Sequence, residues 1–334
     1  MKKVVGLVAA AVVVLGIVTF ASERVIGGDR ASASATPAVA AQGTAAASAK
    51  AATNAKSATS TKTEASAKGA ASVKVATSTK TYSLTAGGLK RSYEVIAPVT
   101  ALPKSAPVIV MLSGIRSTVA QEISRDRLVN YAAADQAEIV YPVAFDESWN
   151  AIGCCGKAAA EKVNDLAFLK ALVATVNPEH ARPIYVVGYS NGTRMAYRVA
   201  CDDPGLFDGY AMVKGLPTAG CAIRKPVNIM QMASVDDPEV PYKPGDKGST
   251  TQVPVTTLAA RLHAADGCPA SRAVTHSGTV TVTTWSGCAD GTRLALAVWA
   301  GGVHSFPRPP GSVPAAAQVL WSFFTKTPLA PLPG

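Results

Sequence analysis

The chain has 334 residues and a formal net charge of +10, and 48% of its residues are hydrophobic, enough for one large folded domain and an additional segment. Most of the charge excess is local: residues 1–80 hold eight Lys and two Arg against Glu23, Asp29 and Glu64, while the remaining 254 residues are almost balanced. A nearly neutral folded part excludes a nucleic-acid groove, and no Cys-x-x-Cys pair or His/Cys cluster has zinc-ligand spacing, so neither metal nor cofactor is expected.

Lys2 and Lys3 precede an uncharged apolar run from Val4 to Ala21. A basic start followed by a hydrophobic core is an export signal, and at this length it is either a cleaved signal or a membrane anchor. No cysteine follows the run, which excludes a lipoprotein anchor. Residues 22–80 contain no aromatic side chain and are dominated by Ala, Ser and Thr, so they are expected to form a disordered linker. Within it Lys50, Lys56, Lys62, Lys68, Lys74 and Lys80 recur every six residues. In an extended chain that period aligns the ammonium groups on one side. A tether to an anionic cell-envelope surface and a soluble spacer are both compatible with it.

From residue 81 the pattern becomes strands alternating with helices, which predicts a mostly parallel sheet covered on both faces. Strands are predicted at 93–96, 108–112, 138–141, 183–188, 208–213, 227–233, 279–285 and 293–299. Helices are predicted at 119–136, 163–176, 253–265 and 314–325. Gly188-Tyr189-Ser190-Asn191-Gly192 lies between the strand Pro183-Ile184-Tyr185-Val186-Val187 and the helix beginning at Thr193. Gly-x-Ser-x-Gly in that setting is a nucleophile elbow, which makes Ser190 the candidate nucleophile.

Several blocks then resemble one family. They are Leu84 to Tyr93, Ser148-Trp149-Asn150 with Cys154-Cys155, Val163 to Leu169, the elbow through Cys201, Asp237-Pro238-Glu239-Val240-Pro241-Tyr242 and Gly301-Gly302-Val303-His304-Ser305-Phe306-Pro307. In that order they are similar to the secreted polyhydroxybutyrate depolymerase and feruloyl esterase group of α/β-hydrolases. The resemblance covers 81–325 and implies an α/β-hydrolase fold over 81–334. It also implies an exported serine esterase that acts on an ester through an acyl-enzyme. The ester would be a polyester, a hydroxycinnamoyl or acetyl ester, or a small acyl ester. An acyltransferase with the same residues, and a non-catalytic envelope-binding protein, are the alternatives.

In this fold the chain order is Ser, acid, His. Of four histidines, His180 precedes the nucleophile strand, His263 lies in an amphipathic helix and His276 in a polar turn. His304, in a Gly-rich loop after a strand, is the expected base. The acid is expected after strand 227–233. Asp237 matches the family position, and Asp236 is the neighbour that could replace it. The oxyanion donors are expected to be the N–H of Asn191 and that of Ile115, with Gly114 as second choice. Leu112-Ser113-Gly114 stands where the family usually has Leu-His-Gly, which puts the rigidity of that loop in question. Trp149 and Phe306 are candidate substrate-binding residues, with a packed core role open for Trp149. Among six cysteines, Cys268 and Cys288 flank a hairpin and are expected to pair. Adjacent Cys154 and Cys155 are expected to reach Cys201 and Cys221, in an order left open.

Overall fold

The computed structural model describes residues 76–246, 252–308 and 315–333. The expected signal or anchor and nearly all of the lysine-rich segment lie outside the described residues. Regular structure begins earlier than expected, at Thr77, so Lys80 is part of the first strand rather than of the linker.

Among the described residues, ten strands form one sheet. In chain order they are β1 (Thr77–Ala86), β2 (Leu89–Pro98), β3 (Val108–Leu112), β4 (Glu138–Pro142), β5 (Ile184–Tyr189), β6 (Gly209–Val213), β7 (Ile229–Ser234), β8 (Ala273–Ser277), β9 (Val280–Ser286) and β10 (Arg293–Trp299). Their order across the sheet is β1-β2-β4-β3-β5-β6-β7-β10-β9-β8. The six central strands, β4 through β10, run parallel, whereas the β1–β2 and β8–β9 hairpins add antiparallel edges. Parallel strands with both faces covered should be continuously apolar. Val108-Ile109-Val110-Met111-Leu112 meets this rule, with all five residues buried. At roughly 1.5–3 kcal/mol for each fully buried large side chain, these central strands anchor the fold.

Seven α-helices among the described residues cover the sheet: α1 (Val119–Asp126), α2 (Val129–Ala133), α3 (Gly156–Ala160), α4 (Asp165–Val176), α5 (Asn191–Asp202), α6 (Val255–Ala265) and α7 (Ala316–Thr325). One core contains Phe168 and Leu172 of α4, Met195 and Tyr197 of α5, and Leu258 of α6. The other contains Leu128 and Tyr131 at α2, and Leu320 and Phe323 of α7. No helix among the described residues is long and apolar enough to cross a membrane.

The helix expected over 119–136 is two helices. Thr118 caps α1 reciprocally with Gln121. Asp126 then turns back to accept the N–H of Leu128 at 2.8 Å, while Arg127 adopts a left-handed φ of 59°. That local bond competes with helix continuation. His276, expected in a turn, lies in β8 and contacts Thr281 across the hairpin.

The cysteine pairing also differs. Cys201, at the end of α5, bonds to Cys221 in the loop after β6, with Cα atoms 5.7 Å apart. With those two joined, Cys154 and Cys155 have only each other and form a vicinal disulfide. Cys268 and Cys288 pair as expected. The Cys201–Cys221 bridge closes a separation of 20 residues and braces the helix behind Ser190. A loop of that size is worth about 3 kcal/mol in the chain-entropy model.

Candidate active site

Four side chains of the site follow the carboxyl ends of parallel strands, where open α/β sheets place their ligands. Ser190 follows β5, Lys214 follows β6, Asp237 follows β7 and His304 follows β10. Ser190 occupies φ 52°, ψ −112°, a sparsely populated region at the strand-to-helix turn. Two glycines allow the turn. A Cβ on Gly188 would overlap the backbone of Gly192 and Thr193, and one on Gly192 would overlap the carbonyls of Leu112 and Ser113. Ser190 N–H donates to Val213 O at 3.0 Å, and Thr193 Oγ1 lies 2.6 Å from Gly188 O, so the elbow is fixed to two strands.

His304 Nε2 is 2.9 Å from Ser190 Oγ, and its Nδ1 is 3.1 Å from each carboxylate oxygen of Asp237. Asp237 is buried and also accepts the N–H groups of Glu239 and Val240. Burial pushes its carboxyl up, but the bonds from His304 and the Glu239 amide, with the nearby Lys214 charge, outweigh it and hold the pKa below the ordinary aspartate value. Asp236 is exposed and makes no bond to His304, so of the two neighbours only Asp237 meets the imidazole. The other histidines are occupied elsewhere: His180 with Asp208, His263 with Pro269 O and His276 with Thr281.

The loop after β3 is held at three points. Trp149 Nε1 donates to Ser113 O at 3.1 Å, Gly114 N–H donates to Glu122 at 3.1 Å and Arg116 N–H to Glu147 O at 2.9 Å. Glu122 is itself buried, which pushes its carboxyl up against the opposing charge of Arg125. With Gly114 N–H engaged, the N–H of Ile115 has no partner among the described residues. The same is true of Asn191, whose amide opens α5.

Neither expected substrate-binding aromatic residue lines the cleft beside Ser190. Trp149 is fully buried and stacked near Phe168, so it cannot wall an open cleft. Its backbone instead holds the side chain of Asn191, by Trp149 N–H to Oδ1 at 2.7 Å and Nδ2–H to Trp149 O at 3.2 Å. Phe306 is buried edge-on to Tyr189 and faces a separate depression beside α1. Both aromatic residues are drawn inward by the apolar area that they remove from water.

Four groups near the nucleophile had no expected role. Lys214 is buried, donates to Val303 O and lies 3.7 Å from Asp237 Oδ2. Burial lowers its pKa, opposed by Asp237. Tyr189 OH donates to the carbonyl of His304 at 3.0 Å. Glu239, largely exposed, reaches within 3.6 Å of His304 Nε2. Arg194 joins Ser190, His304, Lys214, Glu239 and Gln252 in lining a cleft of 440 Å³. The sequence signal for Lys214 was its position: a lone cation directly after an apolar strand, on the same sheet edge as Ser190.

No protein-family model matches the chain. Over 172 residues it is 30% identical to a protein of Nocardia uniformis subsp. tsuyamanensis described as "Putative esterase NocK", the match covering 48% of each chain. The chain thus spans about half the length of that relative. Among solved structures it is similar to an acetyl xylan esterase from Aspergillus awamori, with a TM-score of 0.48 and 12% identity over 69% of this chain and 95% of that one. It is also similar to a thermostable esterase, with a TM-score of 0.45 and 16% identity over 67% of this chain and 55% of that one. With a central parallel sheet, helices on both faces and an antiparallel second strand, the chain has the α/β-hydrolase fold.

Proposed function

We propose that this protein is an exported serine esterase that hydrolyses carboxylic esters through an acyl-enzyme. The observation that carries this reading is the continuous chain from Ser190 Oγ through both nitrogens of His304 to Asp237. His304 Nε2 accepts the Ser190 proton as Oγ attacks the ester carbonyl carbon. The carbonyl oxygen gains negative charge, and the N–H groups of Asn191 and Ile115 are the donors assigned to it. Collapse of the tetrahedral species breaks the bond to the alcohol oxygen, which leaves with the proton from His304. Water, deprotonated by the same imidazole, then attacks the acyl-enzyme and releases the acid and free Ser190. Asp237 remains ionised, fixes the imidazole tautomer and offsets the imidazolium charge. Its lowered pKa supports that role.

Water as the second acceptor is supported by the polar lining of the cleft and by the exposure of Glu239 at its rim. Export is supported by the N-terminal apolar run and by the three disulfides, which persist in oxidising compartments. The lysine-rich segment would then serve as a tether to an anionic envelope surface. Hydrolysis of a chromogenic short-chain ester tests the reading. Ser190→Ala and His304→Ala are each expected to lower kcat by about 10⁴-fold or more. Turnover unchanged in Ser190→Ala would contradict it.

A further inference from the structure

Arg194 is a cation in the cleft whose chemistry the ester-hydrolysis steps leave unused, and unlike Lys214 it has no carboxylate within ion-pair distance among the described residues. It lies four residues after Ser190, one turn into α5, so the two share a helix face. Its guanidinium, half-buried in the cleft wall, has no hydrogen-bond or ion-pair partner among the described residues. Residues 247–251 and 309–314, the internal segments outside the described residues, contain neither Asp nor Glu, so neither can supply a carboxylate partner. A guanidinium presents a planar fork of donors and cannot become neutral at working pH, so leaving it partly desolvated and unpaired is unfavourable. Burial lowers its pKa, partly offset by the charge of Glu239, which describes a cation short of compensation.

We propose that Arg194 forms a carboxylate-binding subsite, and that the preferred substrates are esters carrying a carboxylate a few bonds from the scissile carbonyl. This rests on the serine-esterase reading and names its substrate class. A bidentate guanidinium–carboxylate pair would form only when substrate occupies the cleft that Arg194 lines. The other charges around the cleft do not abolish the attraction. Lys214 is matched by Asp237 at 3.7 Å, and His304 by the same carboxylate. Glu239 is the repelling group, but its side chain is 66% exposed and therefore well screened by water and salt. Arg194, set deeper in the wall, is screened less. Binding energy recovered there, remote from the reacting bond, can be used to hold the ester carbonyl against Ser190.

The carboxylate could belong to the acyl part or to the alcohol part, and two pairs of probes separate these cases. Para-nitrophenyl hemiglutarate is compared with para-nitrophenyl pentanoate, and meta-carboxyphenyl acetate with meta-methylphenyl acetate. In at least one pair the wild-type protein is expected to favour the anionic ester in kcat/KM by roughly 10- to 100-fold. Arg194→Gln is expected to bring that ratio to about one or below, and Arg194→Lys to keep part of it. Because each ratio is taken on one enzyme sample, loss of folded protein cancels. A wild-type ratio near one in both pairs, or a ratio unchanged in Arg194→Gln, would overturn the proposal. Turnover of the neutral esters alone would overturn it and leave the hydrolase reading standing. Turnover of no ester would overturn both.

Discussion

At the scale of single residues, the site depends on one cation that no motif announces. Lys214 donates to the carbonyl of Val303, immediately before His304, and sits 3.7 Å from Asp237. It thereby connects the histidine loop to the carboxylate that orients the imidazole, as a positioning residue. Lys214→Met keeps the volume and removes both interactions. We expect kcat to fall about 10- to 100-fold with little change in KM, since misplacement of a catalytic group acts on the chemical step. The charge gives a second readout. Asp237 is held below its ordinary pKa, and Lys214 contributes to that depression. Without the cation Asp237 takes up its proton at higher pH, so its carboxyl, followed by carbon NMR, should titrate at higher pH in Lys214→Met than in the wild-type protein. An unchanged Asp237 titration would show that the lysine charge does not act on the carboxylate. That Ser190, Asp237 and His304 meet was legible because each lies just past an apolar strand in a short sequence block of its own. Lys214 belongs to no such block and Arg194 sits within the elbow block without a part in its motif, so what each can do depends on which strands and helices become neighbours. The placement of Trp149 and Phe306 was not legible for a related reason. An aromatic residue beside a motif can face the cleft or the core, and only packing decides between them.

At the scale of elements, the segment between β4 and α4 is built around a buried ion pair. Arg91 of β2 meets Asp165, the first residue of α4, at 2.7 Å, with both side chains nearly inaccessible. Asp165 also accepts the N–H of Asn150 at 2.7 Å, and the Arg91 guanidinium lies 4.2 Å from the centre of the Phe168 ring. The pair therefore fixes Asn150 beside Trp149, whose backbone holds the Asn191 side chain. Removing one partner of such a pair leaves an uncompensated buried charge. Asp165→Ala should cost about 3–5 kcal/mol in stability, measured by urea unfolding. A loss below about 1 kcal/mol would show that the pair is not structurally important. The central strands were legible from their continuous apolar runs. The division between α1 and α2 was not, because the apolar pattern passes through it and only the local bond from Leu128 N–H to the Asp126 carboxylate breaks the helix. The vicinal pairing of Cys154 and Cys155 was unreadable for another reason: spacing cannot show that Cys201 and Cys221 meet across the turn of the chain.

At the scale of the whole molecule, the chain separates into a basic, low-complexity N-terminal part and a nearly neutral α/β-hydrolase domain. The alternation of strands and helices was sufficient for the fold class, since it permits few topologies with short connections. It understated the edges, where β1 begins at Thr77 and β8 adds a polar outer strand. Those strands are exposed and lack the apolar runs by which the central ones are found. The side chains assigned to chemistry follow the carboxyl ends of the central strands, while most of the charge excess lies in the N-terminal segment. The central claim is that this end of the sheet activates Ser190 as a nucleophile. Its most direct test is covalent labelling by a fluorophosphonate probe, followed by identification of the modified peptide. We expect one label on Ser190 in the wild-type protein, none in Ser190→Ala and labelling slowed at least about 100-fold in His304→Ala. Absence of label from the folded wild-type protein, or equal labelling of Ser190→Ala, would contradict the account.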